Sequence, residues 1–144
     1  MPRIRKIEID HFRGIQRLEW YPSAGLNCLI GPGDSGKSTI LDAIDCCIGA
    51  RRNLAFTDAD FHMLDVDTPI TITATLGELD DGLKNIEAYG MYLRGFDAET
   101  GAVEDEPERH AETVLTVKLT VMSDLDLHGR SCQNGLKRRA RLEI

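Results

Sequence analysis

Gly31-Pro32-Gly33-Asp34-Ser35-Gly36-Lys37-Ser38 fits the pattern G-x-x-x-x-G-K-[ST], and Thr39 follows it. This pattern constrains a fold strongly because it works only as a turn from a strand into a helix. Glycine lets the backbone curl until successive N–H groups point inward at phosphate oxygens, and the helix that follows adds the positive end of its dipole. Gly31, Gly33, Asp34, Ser35, Gly36, Lys37, Ser38 and Thr39 are therefore the candidate phosphate-binding set. Lys37 is expected to reach the β- and γ-phosphates, and the Ser38 hydroxyl to ligate Mg²⁺ beside phosphate oxygens.

The flanks of the loop carry the required context. Leu26-Asn27-Cys28-Leu29-Ile30 is a nearly continuous run of small and apolar side chains, the pattern of a strand covered on both faces inside a sheet. After the loop, Ile40, Leu41, Ile44, Cys47 and Ile48 recur at helical spacing, with Asp42 and Asp45 on the other side. This predicts a helix over Ser38–Ile48 that stops at Gly49.

Elsewhere the chain reads as strands with one wet face. Ile7 and Ile9 alternate with Glu8 and Asp10, and Leu18 and Trp20 with Arg17 and Glu19, predicting a β-hairpin over Ile4–Phe12 and Gln16–Tyr21 that turns at Gly14. Ile70, Ile72, Ala74 and Leu76 alternate with threonines, and Leu115, Val117, Leu119 and Val121 with Thr116, Lys118 and Thr120. Strands of this kind usually pair antiparallel. Arg51–Asp67 reads as a loop with a turn of helix over Asp58–Met63, and a further strand is expected over Ala88–Arg94 before an acidic loop.

Composition narrows the class. At 144 residues the chain is long enough to bury about two thirds of its unfolded surface around one core. Its apolar stretches are far short of the roughly 20 residues needed to cross a bilayer, so no membrane partner is expected, and without the h-region of a signal peptide the expected compartment is cytoplasmic. Cys28, Cys46, Cys47 and Cys132 lack metal-ligand spacing. Cys28 and Cys47 are expected in the core.

The formal charge is -7, but it is unevenly spread. Arg3, Arg5, Lys6, Arg13 and Arg17 make the start basic, residues 97–112 are acidic, and Lys137, Arg138, Arg139 and Arg141 form a basic tail. The simplest reading of each is a solvated face or loop. Residues 1–128 are expected to form one unit and 129–144 the tail. Asp58, Asp60 and His62 could be imagined as a metal cluster, yet Thr57 or Asp58 as a helix N-cap is the favoured reading.

The segments Ile4-Arg5-Lys6-Ile7-Glu8-Ile9-Asp10-His11-Phe12-Arg13-Gly14-Ile15 and Leu26 through Ile44 resemble the N-terminal half of ABC-type ATPase heads of the RecF and SMC kind. Within that group they are most similar to the OLD (overcoming lysogenisation defect) ATP-dependent endonucleases, with Phe56-Thr57-Asp58-Ala59-Asp60-Phe61-His62 supporting the narrower choice. The resemblance covers Ile4 to Leu79 and fades beyond it. It implies an α/β P-loop fold of the ABC/RecF/SMC head type, in part only: a mixed sheet with an antiparallel part, ATP and Mg²⁺ as ligands, head-to-head homodimers, and DNA as the partner of the complete protein. It also implies that Arg13, matching a basic residue after the first strand, approaches the nucleotide phosphates; an exposed turn arginine is the alternative.

Two departures from the group stand out. Gly33 sits where many relatives carry Asn. More important, the chain has no Walker B run of four apolar residues ending in Asp-Glu, which such ATPases need for hydrolysis. Leu119-Thr120-Val121-Met122-Ser123-Asp124 comes nearest, and the signature motif, switch His and Toprim carboxylates are absent too. An ATP-holding module without turnover is therefore the second reading. A P-loop kinase or GTPase is the third: Asp126-Leu127-His128-Gly129 spells D-x-x-G, but no N-K-x-D occurs.

Overall fold

The computed structural model describes residues 2–49, 54–81, 93–105 and 111–123, and the backbone of 139–143. The strands are β1 (Arg3–Phe12), β2 (Ile15–Trp20), β3 (Ile70–Gly77), β4 (Leu93–Phe96), β5 (Val103–Glu104), β6 (Glu112–Met122) and β7 (Arg139–Glu143), with one helix, α1 (Lys37–Ile48). They form one curled sheet in the order β2-β1-β3-β6-β4-β5, with β7 pairing β6 beyond the end of β4.

Register explains the core. Leu18 of β2 faces Ile9 of β1, Ile9 faces Ile72 of β3, and Ile72 faces Leu119 of β6. Directly opposed residues share a face, so these side chains line up across the sheet. A parallel row runs through Trp20, Ile7, Ala74 and Val117. Helix α1 lies on this surface through Ala43 and Cys47, and Phe12, Phe56 and Phe61 close one end. The hairpin and the antiparallel pairing of β3 with β6 agree with the alternation in the sequence.

The other face carries the charge, and the basic residues of the first strands are spent there. Arg3 pairs with Glu78, Arg5 with Glu78 and Glu112, Lys6 with Glu8 and Glu19, and Arg17 with Asp10.

Two expectations need correction. Leu26–Ile30 is not a strand: among the described residues it has no ladder partner, Leu26 and Ile30 are 89% and 94% exposed, and Cys28 is exposed rather than in the core. An interior strand needs neighbours on both edges, and among the described residues every strand already pairs within the antiparallel sheet. The buried stripe of α1 runs through Ile40, Ala43, Ile44 and Cys47, leaving Leu41 and Ile48 outward, because the small Ala43 lets the helix sit close on the sheet. Of the expected Ala88–Arg94 strand, Leu93 and Arg94 lie in β4, and 88–92 lie outside the described residues. Residues 129–138 of the basic tail lie outside them too, while Arg139–Glu143 pairs with β6. Among the described residues no helix is long and apolar enough to cross a membrane.

Candidate functional site

The glycine-rich loop leads into α1 through a sharp reversal. Asp34 and Gly36 both adopt left-handed backbone, with φ of 59° and 83°. Left-handed residues alternating with ordinary ones gather successive N–H groups into one concavity suited to an anion. A Cβ at Gly31 would lie 2.6 Å from Ser35 Oγ and would displace that hydroxyl, whereas Gly33 faces open space. Gly36 is the N-cap of α1 and offers no side-chain oxygen, so the first-turn N–H groups keep their capacity to bind a ligand.

Lys37 bends back over the loop it follows. Its ammonium donates to the carbonyl oxygens of Gly31 and Pro32 at 2.7 and 2.6 Å and to Ser35 Oγ at 3.0 Å. All three acceptors are neutral, and among the described residues Lys37 has no carboxylate partner. The ammonium thus lies over the loop bonded, among the described residues, to neutral oxygens. Ser38 stands exposed on the first turn of α1, with Thr39 half-buried beside it.

Arg13 reaches the same neighbourhood from the β1–β2 turn. Its Nε donates to Asp60 Oδ1 at 2.8 Å and its Nη1 to Asp42 Oδ2. Asp42 lies one helical turn beyond Ser38 on the same face of α1. Next to this turn, Ile15 Cγ1 comes within 3.6 Å of where a Cβ of Gly36 would stand. The hairpin turn is thus seated at the head of α1, and the structure brings Arg13 together with the helix that carries Ser38.

The segment over 57–62 holds Arg13 in place. The Arg13 N–H donates to the Asp60 carbonyl at 2.7 Å, and His62 Nδ1 donates to the Arg13 carbonyl at 2.8 Å. Asp60 Oδ2 accepts from the Thr57 N–H and hydroxyl at 2.9 and 3.2 Å. Thr57 does stand at the N-terminus of the Asp58–Asp60 turn, as expected. Burial alone would raise the Asp60 carboxyl, but the Thr57 N–H and the Arg13 guanidinium outweigh it and hold the carboxyl below its ordinary range. Asp60 and His62 therefore serve Arg13. No local pattern signals this role for either, nor for Asp42, which helical spacing places only on the side of α1 away from its apolar stripe.

Comparison with known proteins bears on what this arrangement belongs to. A profile of the AAA domain matches residues 6–127. The chain belongs to the AAA domain family. It is similar to the DNA replication and repair protein RecF of Chlorobium luteolum, 38% identical over 67 residues, which cover 41% of this chain and 18% of that RecF. It is similar to the OLD nuclease of Thermus scotoductus, 29% identical over 101 residues, 67% of this chain and 19% of the nuclease. RecF of Desulforamulus reducens is 22% identical over 98 residues, 62% of this chain and 26% of its own length. The chain spans only 18% to 26% of the length of these curated relatives. The resemblance to the ATPase part of OLD and RecF proteins is thus shown, and an AAA-type domain with a curled sheet fits an α/β ATPase.

Proposed function

We propose that this AAA-family chain is the nucleotide-binding part of an ABC-type ATPase head that works on DNA, as the names of its RecF and OLD relatives suggest. ATP would sit with its phosphates on Gly31, Gly33, Asp34, Ser35 and Gly36, with Lys37 neutralising them. Ser38 would hold Mg²⁺, Thr39 would bond a neighbouring phosphate oxygen, and Arg13 would approach the terminal phosphate. When bound, Mg²⁺ would draw charge from the phosphate oxygens. Pairing of two such heads, and DNA contact through the complete protein, belong to the same reading.

The observation that carries it is the Lys37 ammonium, bonded among the described residues only to neutral oxygens across the loop. A calorimetric panel of ATP, ADP and GTP, with and without Mg²⁺, tests it. ATP should bind and do so more tightly with Mg²⁺; guanine preference would overturn the ABC-type reading in favour of a GTPase.

A second reading is an ATP-holding or dimerisation module without turnover. The bare Leu26–Ile30 segment favours it, because the sheet in which a hydrolytic carboxylate would stand beside the loop is not assembled among the described residues. Phosphate release by this chain, abolished by Lys37→Ala, would contradict it.

A further inference from the structure

Arg13 is an L-residue with φ of 49°, in the left-handed region that glycine favours. Such a conformation persists only where its surroundings over-determine it. Here the N–H, the carbonyl and the guanidinium are each fixed by a residue of the 57–62 segment. The two carboxylates on the guanidinium differ in kind. Asp60 is 15% exposed at its side chain and anchored through its second oxygen to Thr57. Asp42 is 52% exposed, and among the described residues Arg13 is its one charged partner.

We propose that Asp60 and His62 are positioning residues for Arg13, and that Asp42 is an exchangeable carboxylate displaced from the guanidinium by the terminal phosphate of a bound nucleoside triphosphate. Nε stays on Asp60 throughout, so the arm does not have to be ordered anew when the ligand arrives. Nη1 passes from Asp42 to the phosphate, about one helical turn toward Ser38. A nucleoside diphosphate leaves the Asp42 pair intact. The arrangement therefore senses the third phosphate specifically. This inference rests on the reading that phosphates occupy residues 31–39.

Calorimetry of ATP and ADP on the whole chain tests it with five proteins: wild type, Lys37→Ala, Asp60→Asn, Asp42→Asn, and Asp42→Asn with Arg13→Ala. Asp60→Asn should weaken ATP about tenfold, the size of one charge-assisted hydrogen bond, and leave ADP unchanged. Asp42→Asn should tighten ATP several-fold by removing the competitor, leave ADP unchanged, and lose that gain when Arg13 is also replaced. A gain that survives without Arg13, or that appears equally for ADP, reflects only a lost negative charge and overturns the proposal. Should Asp60→Asn melt, the exposed Asp42 variants still decide the matter. If Lys37→Ala leaves ATP binding intact, the phosphate-site reading itself fails. If Lys37→Ala abolishes binding while the Asp42 variants keep the wild-type ratio of ATP to ADP affinity, only the present inference fails.

Discussion

The Cys47 thiol of α1 faces the carbonyl oxygen of Ile72 on β3, with Sγ and O 3.6 Å apart, and shares its hydrogen with that of Val117 on β6 at 3.5 Å. Together with Ala43, the thiol seats the helix behind the glycine-rich loop on the centre of the sheet. Burial pushes it up to about 11. At about pH 8 it is therefore a neutral thiol, not the thiolate that reacts. Cys28, by contrast, stands exposed before the loop. Thiol titration of the native protein near pH 8 should modify Cys28 readily and spare Cys47 until the protein unfolds. Equal reaction at both, read by mass spectrometry, would mean that α1 does not lie on the sheet as described.

Ile72 itself stands at the middle of the row Leu18, Ile9, Ile72, Leu119 and is fully buried. Ile72→Ala removes methyl groups from the centre of that row. It should lower stability by about 2–5 kcal/mol, measured by denaturant unfolding.

The glycines of the loop should separate by conformation. Gly36 carries φ of 83°, and a Cβ there makes only ordinary contact with Ile15, so Gly36→Ala should cost about 1–2 kcal/mol through backbone strain alone. Gly33 has open space around it, and Gly33→Ala should change stability by less than about 0.5 kcal/mol. Paired thermal melts of the two variants make the comparison.

Asp60 gives a pH dependence of definite sign. Its carboxyl is held below the ordinary range in the folded protein, so its contribution is fully present above the unfolded value of about 3.9 and is lost as pH falls further. The stability difference between wild type and Asp60→Asn should be constant from about pH 7 to about pH 5 and shrink below about pH 4. A difference that grows on acidification would show that Asp60 is not the paired carboxylate.

The strands were legible where alternation alone fixes which face is buried. Ile7 and Ile9, or Ile70 to Leu76, need only a sheet beneath them, and nearby strands supply one. Leu26–Ile30 shows the limit of that logic. A continuous apolar run records a demand for burial on both faces, but the neighbours that would meet it are not written in the run itself. The glycine loop was legible because its residue pattern is contiguous and local, and Gly36, with φ of 83°, shows one glycine that the backbone itself requires. The setting of Arg13 was not. Its partners stand 29 and 47 residues away, and although the Thr57–Asp60 turn could be read locally, nothing local says that Asp60 Oδ1 binds Arg13.

Lys37 carries the central claim, because its ammonium, bonded to neutral oxygens of the loop, is the cation on which the proposed phosphate site rests. Titration calorimetry of Mg²⁺·ATP into the wild-type chain and Lys37→Ala, with both confirmed folded by thermal melting, tests it most directly. The account predicts saturable binding to the wild type and none to the variant. Equal affinity in the two would contradict it.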